Sequence, residues 1–337
     1  MPDRLALMGK LQPNWTFTKA VTYSSKRTLG AMRKERKVRI KLYKYTPHIE
    51  SFIERPMLRC TLASQLNDPF ELRPSNELFE EFNNAKNSGP INIFSEADLL
   101  LGFNYKGVIS LSESKTNLLM WSHYANEHSG GVIEFSFDIK LENNQILQRG
   151  LFKNIADSQY IFNRVKYVFE RSEINSTTEY SKTARTSDLL PSLGFCKADP
   201  WSYEKEHRFV CDTFNSDKAL IITGEGVNRM DILEILSRYD MNVLEGESEA
   251  LAIDMKSVGH MKNFHLQHEL NESDCSLMHF YEVRPESVTG LYFGCSSDLN
   301  RFNDIADSDQ LVKFVNLGDN VMRAKLSKRR YELEFLK

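Results

Sequence analysis

The chain has 337 residues, 41% of them hydrophobic and 26% charged, with a formal net charge of −3 at pH 7. That length can bury a large core and lies near the upper end of what one domain holds. The near-neutral balance excludes a protein that engages polyanions through its overall charge. No apolar run approaches the roughly 18 residues of a membrane helix, and MPDRLALMGK is too short in apolar residues for a secretory leader. The five cysteines, Cys60, Cys196, Cys211, Cys275 and Cys295, are scattered and form no CxxC pair. Such usage fits reduced thiols, so we expect a cytoplasmic protein with no membrane partner.

Residues 1–38 lack a clean period and read as a basic N-terminal extension. Lys19, Lys26, Arg27, Arg33, Lys34, Arg36 and Lys37 crowd there, followed by Arg39, Lys41 and Lys44. Two readings stand: a phosphate-facing arm, or a solvated leader. Residues 39–337 are expected to form one catalytic-like α+β domain. VRIKLYKYT (Val38–Thr46) alternates as a strand, with Tyr43 and Tyr45 on one face and Leu42 and Lys44 on the other. Asn67-Asp68-Pro69 is turn chemistry. Residues 75–106 read as helix around a Gly89-Pro90 break. GVISLSE (Gly107–Glu113) reads as a strand, KTNLLMWSHYANEHSGG (Lys115–Gly131) as one helix with a glycine stop, and VIEFSF (Val132–Phe137) as a strand.

Further on, RVKYVF (Arg164–Phe169) and WSYEKEHRFVCDTF (Trp201–Phe214) read as strands, with helix over 170–198. Residues 240–280 look polar, His-rich and irregular, as in an insertion. VTGLYFG (Val288–Gly294) is a strand, and RAKLSKRRYELEFLK closes the chain as an alternating strand. Strands and helices interleave without a βαβ repeat, which predicts a mixed, mainly antiparallel sheet flanked by helices.

Two stretches carry chemistry. On a strand, Glu204, Glu206 and Arg208 share one face; Tyr203, Lys205 and His207 share the other. Adjacent carboxylates repel, and one pKa rises unless Arg208 screens them. Such a pair suits acid–base work or stabilisation of developing positive charge, and equally a solvated strand face. Ser110 and Ser112 also share a face, where their hydroxyls either meet a ligand or satisfy a strand end. In the helix, Trp121, Tyr124 and Ala125 form a stripe in which Trp121 belongs to the core. His123 and Tyr124 carry polar tips suited to a pocket rim.

Other chemistries lack their patterns. His260, His265, His268, Cys275 and His279 match no zinc spacing. GEGVNR (Gly224–Arg229) lacks the Lys-Ser/Thr of a phosphate loop, and there is no GxSxG or strand-borne GxGxxG.

The succession LYKY, QLNDPFE, SLSE, NLLMWSHYANEHSGGVIEF, WSYEKEHRF and a late LYFG closely resembles the bacterial domain of unknown function family 2971, from about Lys41 to the C-terminus. A polar first strand, an S-x-S strand and an E-x-E strand, in that order, are in turn similar to the ADP-ribosyltransferase superfamily. That resemblance implies an ADP-ribosyltransferase-like fold, with NAD as substrate and no metal. It places Ser110 and Ser112 in the middle motif, and Glu206, aided by Glu204, in the catalytic one. The superfamily's first-strand Arg or His is absent from LYKYT, leaving Tyr43, Lys44 or Tyr45 to serve. His123 and Tyr124 would flank the nicotinamide riboside, and Arg208 or the early basic residues would hold the pyrophosphate. The implied activity is ADP-ribosylation of a macromolecule, RNA or DNA rather than protein, by a toxin or antiphage-defence effector with a possible cognate antitoxin. The alternative is a nucleic-acid-binding or nucleic-acid-cleaving module that does not use NAD, with His123, His207 and Glu206 as its cleaving groups.

Overall fold

The computed structural model describes residues 37–87, 103, 105–142, 145–171, 189, 193–244, 251–257 and 259–336. The basic segment before Lys37 and most of the helix expected over 170–198 lie outside the described residues. Strands dominate: a 14-stranded mixed, mostly antiparallel sheet with helices packed on it, and a separate parallel pair.

The site depends on how three strands meet. β1 (Lys37–Thr46) pairs along its whole length with β4 (Gly131–Glu142). β2 (Met57–Leu62) follows a short helix, α1 (Ile49–Glu54). β3 (Lys106–Ser112) comes after α2 (Asn76–Asn87), and one of its edges is shared. β2 holds that edge at Val108 and Gly107, whereas β1 holds it only at Ser112, opposite Tyr43. β1 and β2 therefore diverge, and the sheet splits beside Ser110. A side chain at Gly107 would strike Cys60 Sγ at 2.4 Å, so the close approach of β2 requires glycine there.

α3 (Leu118–Tyr124) is shorter than the helix expected over Lys115–Gly131. Asn117 Oδ1 accepts from the Leu119 and Met120 amides and starts it. Asn126, Glu127 and His128 then adopt left-handed backbone, ending it before the glycines. Gly130 and Gly131 serve another purpose: a Cβ on Gly130 would lie 2.4 Å from Thr46 O at the end of β1. Trp121 is fully buried as expected, edge-on to Tyr45 at 5.6 Å, in a cluster that includes Val132 and Tyr292. Tyr43 packs against this cluster, while Leu42 joins the main core.

β5 (Gln145–Arg149) pairs β4, and β6 (Tyr160–Arg164) leads to β7 (Lys166–Val168), which runs parallel to β8 (Cys196–Ala198). The single strand expected over Trp201–Phe214 is divided. Asp199–Glu204 forms a 3-10 helix opened by Pro200, Lys205 turns left-handed at φ 46°, and β9 runs only over Glu206–Asp212. β9 covers the other edge of β3 in continuous register from Lys106–Asp212 to Ser112–Glu206. Its alternation is strict. Phe209 and Cys211 enter the main core, where Phe209 stacks on Phe162 at 4.2 Å. Val210 enters another cluster, with Leu72 and Phe195. Burial of each such Phe contributes about 1.5–3 kcal/mol.

β10 (Lys218–Thr223), α4 (Arg229–Arg238), β11 (Val243–Leu244), β12 (Leu251–Asp254), α5 (His260–Glu272) and β13 (Cys275–Glu282) form the far end of the sheet. The irregularity expected over 240–280 gives way to these elements. They share a core of Ile232, Leu236, Ile253, Leu266 and Leu277 that neighbouring polar residues, exposed His265 and His268 among them, concealed in the sequence. β14 (Val288–Phe293) pairs β4 and precedes α6 (Leu299–Ala306). The last expected strand is two: β15 (Val321–Leu326) and β16 (Leu333–Leu336), an antiparallel pair. Among the described residues, no helix is long and apolar enough to cross a membrane.

Candidate active site

A cleft of about 1560 Å³ opens where β1 and β2 part, lined by Tyr43, Lys44, Ser110, Ser112, His123, Tyr124, Lys197, Glu204, Glu206 and Arg208 among others. Of the candidate site residues named from the sequence, Tyr43, Lys44, Tyr45, Ser110, Ser112, His123, Tyr124, Glu204, Glu206 and Arg208 line it, and His207 does not. Its floor is a buried charge cluster. Arg208, 1% exposed, donates from Nε to Glu206 Oε1 at 2.6 Å and from Nη2 to Glu206 Oε2 at 2.9 Å. The same Nη2 reaches Glu71 Oε2 at 2.8 Å, and Nη1 donates to Gly194 O at 3.2 Å. Lys197 Nζ lies 2.8 Å from Glu71 Oε1, 2.7 Å from Glu204 Oε2 and 3.7 Å from Glu206 Oε2. Tyr124 OH donates to the other Glu204 oxygen at 2.5 Å.

Three carboxylates thus face two cations, an excess of one negative charge if every group is ionised. The cluster distributes that excess unequally. Burial opposes the ionised form of Glu206, but the Arg208 charge and hydrogen bonds, with Lys197, outweigh it and hold its carboxyl at about 2. Burial also raises Glu204, and there Lys197 and the Tyr124 hydroxyl do not compensate, with Glu206 adding repulsion; its pKa is raised. Lys197 loses to burial but gains more from Glu206, Glu71 and Glu204, so it is held protonated. Two carboxyls two residues apart therefore differ in character: Arg208 favours the anion of Glu206, and burial favours the protonated form of Glu204.

The backbone places them. Ser112 Oγ donates to Glu204 O at 2.7 Å, the Glu113 amide donates to Lys205 O at 3.1 Å, and the Glu206 amide donates to Tyr167 OH at 2.8 Å. Asn117 Nδ2 donates to Tyr203 O at 3.0 Å, so the residue that caps α3 also anchors the 3-10 helix carrying Glu204. His123 Nδ1 meets Tyr203 OH at 3.1 Å on the exposed rim. Ser110 serves twice: its side chain favours the Glu206 anion, and its carbonyl accepts from Lys44 Nζ at 3.1 Å.

Two expected groups are differently engaged. Tyr43 is directed at Glu134, and burial followed by that charge pushes its hydroxyl up to about 12. His207 lies on the far side of β9, stacked on Phe162 at 5.8 Å and 3.6 Å from Glu113 Oε1. Burial, then Arg164, brings its pKa down to about 4, and it does not line the cleft with Glu206. Sequence reasoning missed Glu71 and Lys197. Glu71 stands in the QLNDPFE block, which drew notice for its turn, and Lys197 is one lysine in a short strand. It also missed Arg59, which reaches Gln65 Oε1 at 2.6 Å while its Nε is buried without a partner, and Lys218; both line the cleft. Among the described residues, no group of three His, Cys, Asp or Glu side chains is placed to hold a metal ion.

Fold and site together define a mixed-sheet α+β protein with a buried carboxylate–cation cluster at the base of a sheet cleft. A family model described as "Protein of unknown function (DUF2971)" matches residues 120–209, from Met120 in α3 to Phe209 in β9. That span contains Tyr124, Lys197, Glu204, Glu206 and Arg208, and it supports the resemblance to that family. No curated protein and no solved structure matches the chain.

Proposed function

We propose that the protein is an NAD-dependent ADP-ribosyltransferase that modifies a macromolecule, RNA or DNA rather than protein, as a bacterial toxin or antiphage-defence effector. The observation that carries this reading is the placement of Glu204 and Glu206 together at the base of one cleft, Glu206 forked onto Arg208 and Glu204 held by Lys197 and the Tyr124 hydroxyl. The split sheet, with the Ser110–Ser112 strand beside β9, which opens at Glu206 directly after the turn that carries Glu204, supports an ADP-ribosyltransferase-like arrangement.

The cleft exceeds the ~300–1,000 Å³ usual for small-molecule sites, which leaves room for a dinucleotide and an acceptor. Arg208 has its donors committed inside the protein, so the pyrophosphate falls to the other cations lining the cleft: Arg59, Lys218, Arg55 and Lys44. Tyr124 presents its ring to the nicotinamide while its hydroxyl holds Glu204. The bond between ribose C1′ and nicotinamide N1 breaks, and its electron pair leaves with nicotinamide. Glu206, whose oxygens keep free lone pairs beside Arg208, accepts a ribose hydroxyl and stabilises the positive charge developing at C1′. Glu204 takes the proton from the acceptor as the new bond to C1′ forms.

A second reading, a nucleic-acid module that does not use NAD, draws on the same row of cations. It gains nothing from His207, which faces away from Glu206. Nicotinamide release tests the choice. Release that is abolished in Glu206→Gln supports the transferase; strand binding with steep salt dependence and no NAD turnover supports the rival.

A further inference from the structure

A second, smaller cavity of about 180 Å³ adjoins the charge cluster, and Glu71 and Lys197 line both cavities. Its rim is unusual for a soluble surface. Phe70 is 59% exposed and Phe169 84% exposed, and both line the cavity. Two large aromatic side chains exposed beside one small cavity offer ring faces on which a flat ligand can stack. Arg73 and Arg171 line it as well; the Arg171 guanidinium lies 5.5 Å from the Phe70 ring and is fixed by donating to the Arg73 and Pro74 carbonyls. At the base sits Asp68, 4% exposed. Its Oδ1 accepts the Phe70 amide at 2.9 Å, while its Oδ2 is buried without a partner. A buried carboxylate oxygen lacking a donor is costly, and a ligand N–H relieves the cost.

Aromatic faces, flanking guanidinium charge and one unfilled acceptor specify a flat heterocycle that carries N–H donors and hangs from an anionic backbone. We propose that this cavity binds an unpaired nucleobase of a single-stranded nucleic acid, stacked on Phe70 and Phe169 and read by Asp68. Guanine suits Asp68 best, because it offers two neighbouring donors, N1–H and N2–H, to the unfilled Oδ2, where uracil offers one. The role as acceptor site rests on the transferase reading above, since it brings the strand to a cavity that shares Glu71 and Lys197 with the main cleft; base binding itself does not depend on NAD.

The test is a fluorescence-anisotropy titration of a labelled, guanosine-containing single-stranded RNA with the full chain, without NAD. Wild type should bind, and Phe169→Ala, at an exposed position that carries no fold, should bind roughly tenfold more weakly. Asp68→Asn should lose the preference for that strand over its uridine counterpart. Absence of binding by wild type, or equal binding by Phe169→Ala, overturns the proposal, as does guanosine monophosphate competing on a par with the strand. Binding that follows the expected pattern while NAD is left uncleaved removes the transferase reading alone. NAD cleavage with unaltered strand binding in Phe169→Ala removes this one alone.

Discussion

Glu204 and Glu206 stand two residues apart in the chain and share a single buried ammonium, Lys197, at 2.7 and 3.7 Å, yet their protonation equilibria are driven in opposite directions. The difference is the guanidinium: Arg208 binds Glu206 through two nitrogens and gives Glu204 none. A fork-to-fork pair satisfies one carboxylate, and the leftover charge falls on the other.

Glu206→Gln should lower NAD cleavage by about 10²–10³, the usual effect of removing one group that stabilises transition-state charge. It also leaves Arg208 with the Glu71 carboxylate and the Gly194 carbonyl, so urea unfolding should show a loss of several kcal/mol, within the ~3–5 kcal/mol range for breaking a buried pair. Measuring both separates the chemical role from the structural one: a variant equally stable and equally active would remove Glu206 from the mechanism.

The pH dependence of stability follows from signs. Glu206 has a folded pKa of about 2 against an ordinary 4.5, so its contribution is present above 4.5 and is lost as pH falls toward 2. Glu204 acts oppositely: the folded state holds its proton more tightly, so its ionisation weakens the fold as pH rises through the raised value. Acid unfolding of wild type should therefore steepen below pH 4.5, and Glu206→Gln should flatten that limb.

Tyr124→Phe removes the hydroxyl that donates to Glu204 at 2.5 Å and favours its anion. Without it Glu204 ionises later, so the rising limb of the pH–rate profile should move to higher pH, with roughly tenfold lower activity at neutral pH for about 1.4 kcal/mol of lost interaction. A limb that stays in place would exclude Glu204 as the base.

Trp121→Ala should destabilise the fold by about 3–5 kcal/mol, because the ring is fully buried in a packed cluster and its loss leaves a cavity. Thermal unfolding reads this directly. His123→Ala, on the exposed rim, should leave stability within about 0.5 kcal/mol of wild type.

The alternation of β1, β3 and β9 was legible in the sequence, because successive residues differ in type: Ile109 and Leu111 alternate with Ser110 and Ser112, and Phe209 and Cys211 with Arg208 and Val210. The grouping of Glu204, Glu206 and Arg208 was legible for a partly different reason. Glu204 does not belong to the strand; it reaches the cluster because Lys205 turns left-handed, which spacing alone does not announce. Lys197 and Glu71 were opaque because a buried cation looks like a surface one until its partners are placed, and those partners come from segments 7 to 137 residues away from it or from Arg208. The helix after Asn117 was overextended because Asn126, Glu127 and His128 are ordinary residues in an unusual backbone region.

The most direct measurement incubates the protein with NAD labelled in its adenylate portion and with cell lysate, then separates RNA, DNA and protein. The account predicts label on nucleic acid with nicotinamide released in equal amount, both absent in Glu206→Gln. Label on no macromolecule, with NAD intact, would contradict it.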